Sequence, residues 1–169
     1  NLKMISVIIP TYNNGKTLKT AIQSIQRQTF KDIEIIVVDD FSTDDTKKIV
    51  KRLEKNDERI RYYLSDYKDT NRFNKRGVNI NAGYSARNFG LSIAKGEFIT
   101  FQDGDDFSLL NRLEIQLELI NKYNVSHLTT GYVWLEENFF GKKINNYKFQ
   151  DTFNFESNFI SSDVIYKKT

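Results

Sequence analysis

Gly96-Glu97-Phe98-Ile99-Thr100-Phe101-Gln102-Asp103-Gly104-Asp105-Asp106 joins a short apolar run to three carboxylates, and the fold class turns on that junction. Phe98 to Phe101 has the aromatic and β-branched make-up of a strand, and the acids begin where the strand must stop. Gly104, between the first two acids, lets the backbone turn sharply and approach a ligand. Carboxylates this close repel one another unless a positive charge sits among them. A divalent ion supplies that charge. Mg²⁺ or Mn²⁺ takes oxygen ligands, and Mg²⁺ uses one or two carboxylates with waters and substrate phosphates completing its shell. Asp103, Asp105 and Asp106 are the carboxylates that could share that ion.

Two blander readings compete. Asp and Gly are common turn residues for purely conformational reasons, so the cluster alone is equally a solvated turn. An EF-hand loop would place Asp103, Asp105 and Glu114 at its first, third and twelfth positions. It fails because Phe107 and Ser108 stand at the fifth and sixth positions, where an oxygen ligand and the turn glycine belong, and because a strand precedes it.

Working outward, 169 residues suffice for one domain with a substantial core, and 39% hydrophobic with 28% charged residues is the balance of a soluble globular protein. No apolar run approaches the ~20 residues of a spanning helix, and the first residues lack a signal-peptide layout. Cysteine is absent, which excludes disulfides, zinc-thiolate sites and cysteine nucleophiles and is compatible with a cytoplasmic location. A net charge of +3 suits an anionic small molecule or an acidic surface, and without a focused basic patch it gives no case for nucleic acid. The single histidine, His127, lies in the apolar-leaning run Val125 to Leu135 and reads as a strand residue rather than a ligand.

Ile5 to Pro10 is a nearly continuous apolar run, the pattern of a strand buried on both faces of a parallel sheet, and the chain's only proline ends it. Thr11-Tyr12-Asn13-Asn14-Gly15 is a polar turn, after which Leu18, Ala21, Ile22 and Ile25 recur at helical spacing. The unit repeats. Ile33 to Val38 is a second buried-type strand running into Asp39 and Asp40, Ser42-Thr43-Asp44 offers helix-start chemistry, and Ile49, Val50 and Leu53 mark an apolar face. Ile60 to Leu64 is a third, shorter strand. Strands alternating with helices imply an α/β domain with a mostly parallel central sheet, helices on both faces, and ligands outside the strands' carboxyl ends. Thr11, Asp40 and Asp105 line that edge in this reading.

Residues 66–81 are polar, basic and without usable periodicity, so they read as a loop. Its basic residues, interleaved with Tyr67 and Phe73, could clamp a phosphate or an acceptor, but a solvated excursion is the favoured reading. Gly83 to Asn88 opens a helix with Ser85 as the expected cap and Ala86, Phe89, Gly90 and Ile93 on one face. The helix dipole does not favour Arg87 in the first turn, so an anion or carboxylate is expected beside it, with a surface salt bridge as the plain alternative. Leu110, Leu113, Leu117 and Ile120 define a further helix, and Val125 to Leu135 and Phe159 to Tyr166 are expected strands.

Taken together, Val7-Ile8-Ile9-Pro10-Thr11-Tyr12-Asn13, Gln28-Thr29-Phe30, residues 35–44, residues 83–90 and residues 95–106 resemble the family 2 glycosyltransferases of the GT-A fold. The resemblance is close over about residues 4–120 and looser beyond. It implies a Rossmann-like nucleotide-sugar-binding domain whose first loop, Pro10, Thr11 and Tyr12, embraces the nucleotide base, with Asp40 reading the base through a hydrogen bond. Arg87 matches an arginine placed near the nucleotide and its phosphates. Asp103 and Asp105 match the DxD motif, whose first acid lies near the ribose and whose last helps bind Mn²⁺ or Mg²⁺ on the donor's diphosphate.

The implied activity is transfer of a sugar from a nucleotide-diphosphate donor, UDP favoured, to an acceptor hydroxyl with inversion, in bacterial surface polysaccharide or glycoconjugate synthesis. The implied partners are that donor and a saccharide or lipid-linked acceptor, in the cytoplasm or against the inner face of the membrane. The family's general base, an Asp downstream of the metal motif, has no clear counterpart. Residues 1–169 are therefore expected to be a single domain cut short at its C-terminus, with the base beyond Thr169 and Asp151, Glu156 and Asp163 as fallbacks. The long 66–81 loop departs from the family's short connection.

Three other functions stay open at this level. A sugar nucleotidyltransferase wants a glycine-rich, arginine-bearing loop after the first strand, which Thr11 to Gly15 is not. A receiver domain wants a phosphorylatable Asp after the third strand, and Asp66 is a poor one. A non-catalytic nucleotide-sugar-binding domain would keep every binding residue and lack only the base.

Overall fold

Ile5–Thr11 forms the central strand β1, buried along its whole length, because a nearly continuous apolar run needs apolar matter on both faces. The computed structural model describes residues 4–68, 70, 72–78, 80, 83–129 and 164–167. In chain order, β1 is followed by α1 (Leu18–Gln26), β2 (Ile33–Asp39), α2 (Thr46–Glu54), β3 (Ile60–Leu64) and α3 (Tyr84–Ile93). Then come β4 (Phe98–Phe101), α4 (Arg112–Tyr123), β5 (His127–Thr129) and β6 (Val164–Lys167). Among the described residues the strands make one sheet in the order β3-β2-β1-β4-β6-β5. The pairs β1–β2, β2–β3 and β1–β4 are parallel, and β6 runs antiparallel to both neighbours. The expected mostly parallel α/β sheet is what forms.

Strand alternation sorts the core into two layers. On one face Ile5, Val7, Ile9, Ile35, Val37 and Phe98 pack with Leu18, Ile22 and Ile25 of α1, Val50 of α2, and Leu113, Leu117 and Ile120 of α4. On the other, Ile8, Ile36, Val38, Ile99 and Phe101 meet Ala86 of α3, with half-buried Phe89 and Ile93 packed against them. Gly90 brings α3 close to β1. A Cβ there would lie 2.5 Å from Cγ2 of Ile8.

The chain steps outward from β1 to β2 and β3, then returns across the sheet through α3 to β4 on β1's other side. Between β1 and β4 the strand order reverses, and in open α/β sheets the crevice outside the strands' carboxyl ends at such a point holds the ligand.

Four local expectations are revised. Ser85 does not cap α3: Gly83 holds the N-cap position in a left-handed conformation, φ 73°, and Ser85 lies inside the helix. Leu110 lies before α4 and is exposed, so it is not on that helix's apolar face. Of Ser42-Thr43-Asp44 only Asp44 serves the start of α2, its Oδ1 accepting the Thr46 N–H at 3.0 Å. The expected strands at Val125 to Leu135 and Phe159 to Tyr166 are realised at His127–Thr129 and Val164–Lys167, and residues 130–163 lie outside the described ones. His127 is a strand residue, as expected.

Candidate active site

The loops after β1 and β2 are fastened to each other. The Asn13 N–H donates to Ser42 Oγ at 2.9 Å, and Asn13 Oδ1 accepts the Thr43 N–H at 2.8 Å, which its positive φ of 53° permits. The Gly15 N–H donates to Asp44 Oδ2 at 2.8 Å. Burial pushes the Asp44 carboxyl up, but hydrogen bonds from Thr46 and Gly15 outweigh it and leave the pKa below the ordinary value. Within the first loop, Thr11 Oγ1 and the Tyr12 N–H both donate to Asn14 Oδ1, at 3.2 and 3.0 Å. Thr17 Oγ1 reaches across to the Gly104 carbonyl at 2.8 Å, tying this loop to the acidic turn.

Asp39 and Asp40 point to opposite faces, as successive strand-end residues do. Asp39 is structural: its oxygens accept the Ser42 N–H at 2.8 Å and the Tyr62 hydroxyl at 2.8 Å. Burial, reinforced by that carboxylate, raises the Tyr62 pKa far above the ordinary range. Asp40 faces α3 and is 2% exposed. Its Oδ2 lies 2.5 Å from the Arg72 guanidinium and 3.4 Å from Ser85 Oγ, while Oδ1 is buried with no hydrogen-bond partner among the described residues.

The carboxylate expected beside Arg87 is Asp103. The buried guanidinium donates to Asp103 Oδ1 at 2.5 Å across sixteen residues of chain. Ser85 and Arg87 sit two places apart in the first turn of α3, so one helical turn touches both Asp40 and Asp103. Pro10 lies against the same turn, 3.3 Å from where a Cβ on Gly83 would stand. Pro10, Thr11, Tyr12, Asp40, Arg87 and Asp103 are thus gathered at the end of β1. Asp105 follows on the same turn, exposed, making no hydrogen bond or ion pair with the described residues.

The acidic turn rests on a buried polar network. Gln102 Oε1 accepts Ser108 Oγ at 2.5 Å, and Gln102 Nε2 donates to the Asp103 carbonyl at 3.2 Å. Arg112 donates to Thr100 Oγ1 at 3.1 Å and to the Phe101 carbonyl at 3.3 Å. Gln28 Nε2 donates to the Leu109 carbonyl at 2.7 Å and its Oε1 accepts the Leu113 N–H at 3.0 Å, pinning the segment between the acids and α4. None of these positioning roles was legible in the sequence, although Gln28 stood in one of the quoted motifs.

Residue Arg72 was also missed. Its loop is otherwise the solvated excursion the sequence favoured, its other described residues being exposed, but Arg72 is 5% exposed, its guanidinium lies 4.2 Å from the Tyr12 ring centroid, and Phe73 lies 6.2 Å from the same ring. The signal available was only the interleaving of basic and aromatic residues.

Among the described residues no group of three or more His, Cys, Asp or Glu side chains could enclose a metal ion. Asp103 spends one oxygen on Arg87, and Asp105 spends none on the described residues. That donor set fits an ion that arrives with a diphosphate and takes one or two carboxylates; it does not fit an all-protein cage. The fallback bases Asp151, Glu156 and Asp163 lie outside the described residues.

A GalNAc(5)-diNAcBac-PP-undecaprenol beta-1,3-glucosyltransferase of Campylobacter jejuni is 47% identical to this chain over 118 residues, 70% of this chain and 35% of that protein. The Escherichia coli UDP-Glc:alpha-D-GlcNAc-diphosphoundecaprenol beta-1,3-glucosyltransferase WfgD is 36% identical over 135 residues, 80% of this chain and 48% of that protein. The chain therefore spans less than half the length of either relative. Among solved structures, S. aureus TarS 1-349 in complex with UDP-GlcNAc superposes with a TM-score of 0.69 at 26% identity, over 96% of this chain and 45% of that one. The family profile Glycosyl transferase family 2 matches residues 6–166. With that match running over nearly the whole chain, this chain belongs to glycosyl transferase family 2.

Proposed function

We propose that this chain is the donor-binding part of a metal-dependent glycosyltransferase. The enzyme moves a hexose from a UDP-sugar to a hydroxyl of a saccharide or lipid-linked acceptor, with inversion, in bacterial surface polysaccharide or glycoconjugate assembly. One observation carries this: Asp40, whose buried Oδ1 has no hydrogen-bond partner among the described residues, meets Ser85 through its other oxygen, on the same turn of α3 from which Arg87 holds Asp103. A buried carboxylate oxygen lacking a donor costs free energy until a ligand supplies one, and a nucleobase N–H such as uracil's is such a donor. The acidic turn, linked to the first loop through Thr17 and Gly104, lies on the diphosphate side of that ligand.

In this assignment Pro10, Thr11 and Tyr12 hold the base and Asp40 reads it. Arg87 fixes Asp103 near the ribose, and Asp103 and Asp105 hold Mn²⁺ or Mg²⁺. When bound, the ion supplies positive charge to the departing diphosphate. The base that deprotonates the acceptor belongs to a part of the enzyme outside the described residues. The names of the two relatives, both undecaprenol-linked glucosyltransferases, support a lipid-linked acceptor, and the second supports UDP-glucose as donor. Among the described residues no helix is long and apolar enough to cross a membrane.

Titration calorimetry of UDP with and without Mn²⁺ tests the assignment. The parent binds UDP more tightly with the ion, and Asp105→Ala, which breaks no hydrogen bond or ion pair with the described residues, abolishes that gain without changing Tm. Absence of binding to UDP, GDP and dTDP alike, or a metal-dependent gain that survives Asp105→Ala, overturns it.

A further inference from the structure

Between β3 and α3 the chain folds back on itself around Asn74. Asn74 Oδ1 accepts the N–H groups of Arg76 and Val78 at 2.9 and 3.0 Å, and the Asn74 N–H donates to the Val78 carbonyl at 2.9 Å. Gly77, with φ +74°, closes the turn, and the Ile80 N–H donates to the Arg72 carbonyl at 2.6 Å. The result is a small hairpin with Lys75 and Arg76 at its tip. Its root is fixed to the candidate site, by Arg72 on Asp40 and by Phe73 near Tyr12. Its far side is not covered. Val78 is 55% exposed and Ile80 58% exposed.

Exposed Val78 and Ile80 stand beside two cations, Lys75 and Arg76. No acid occurs from Phe73 to Ile80. The contrast lies within the same molecule: exposed Phe107, Leu109 and Leu110 follow Asp105 and Asp106 and precede Glu114. Asp105, Asp106 and Glu114 outnumber Arg112 in that stretch, so an anionic surface repels it. The hairpin combines apolar side chains and uncompensated positive charge on one short projection, the composition that binds the headgroup region of an anionic bilayer.

We propose that this hairpin docks on an anionic phospholipid surface, Lys75 and Arg76 on the headgroups and Val78 and Ile80 at the acyl boundary. It deepens the functional reading above and rests on its lipid-linked acceptor for its purpose: docking at the hairpin sets the candidate site beside the membrane that holds the acceptor.

Co-sedimentation of the full-length protein with phosphatidylglycerol–phosphatidylethanolamine vesicles, against pure phosphatidylcholine vesicles, tests it. The parent partitions onto the anionic vesicles only, and less as salt rises. At about fivefold per basic side chain, Lys75→Ala with Arg76→Ala lowers partition by about twenty-five-fold. Val78→Ser with Ile80→Ser lowers it at unchanged charge, and both double variants bind UDP as the parent does. Equal partition of the parent onto both vesicles, onto neither, or undiminished partition of the double variants overturns the docking site. The same preparations separate the two ideas. UDP binding without vesicle binding removes the hairpin inference alone, whereas vesicle binding without UDP binding removes the nucleotide-sugar reading alone.

Discussion

Arg72 and Asp40, thirty-two positions apart in sequence, meet at 2.5 Å with both side chains almost wholly out of water. The pair closes the loop between β3 and α3 onto the end of β2. Removing one partner of a buried ion pair leaves an uncompensated charge, a loss of about 3–5 kcal/mol. Arg72→Met should lower the urea midpoint accordingly, and the double variant with Asp40→Asn should be more stable than the sum of the two single losses by at least about 1 kcal/mol. Strict additivity would mean that the pair does not act as a unit.

The Arg87 guanidinium holds Asp103 by a charge-assisted bond of a kind that contributes about 1.5–3 kcal/mol. Arg87→Met should reduce the Mn²⁺-dependent affinity for UDP by about ten- to a hundredfold, on the conversion of 1.4 kcal/mol per decade. Calorimetry on the variant checks it, and a metal-dependent affinity equal to the parent's would remove Arg87 from the site.

Gly90 poses opposing effects whose sign is decidable. Helix propensity favours alanine by about 1 kcal/mol, but the new methyl would lie 2.5 Å from Cγ2 of Ile8 on the facing strand. Overpacking typically costs about 1–3 kcal/mol, so Gly90→Ala should destabilise. Thermal unfolding gives the answer, and a raised Tm would show that α3 can move away from the sheet.

Asp57 accepts Arg59 Nε at 3.0 Å, an Arg59 terminal nitrogen at 2.7 Å and Gln26 Nε2 at 2.9 Å, joining the end of α1 to the entry of β3. Arg59 first, then Gln26 against the opposing cost of burial, hold this carboxyl well below the usual carboxylate range. A depressed folded-state pKa gives stability that is complete above the unfolded value of about 3.9 and is lost as pH falls through the lower folded value. Asp57→Asn should therefore be less stable than the parent at pH 7, and the gap should close as pH drops below about 4. A gap independent of pH would mean that the bonds depend on shape and not on charge.

Much of this was legible because it is local. The runs at Ile5, Ile33 and Phe98 read as buried strands, since apolar residues on both faces admit little else. Arg87 at a dipole-disfavoured position pointed to a carboxylate, and Asp103 is there. What escaped depends on partners distant in sequence. Nothing within a short window says that Gln28 caps the segment before α4 or that Arg72 lies under Tyr12's ring. Ser85 looked like a cap because Ser-x-x chemistry is common at helix starts, but Gly83 takes that position with positive φ. Ser85 is left to reach Asp40.

The hydroxyl that touches Asp40 and the guanidinium that touches Asp103 hang from a single turn of α3, whose packing on β1 admits no methyl at Gly90. That turn works as a fixed gauge. Any tilt or slide of the helix carries both anchor points together, so the distance between them cannot be retuned by one substitution at either end. A ligand long enough to span both is measured against the helix itself, and a shorter one can satisfy only one end.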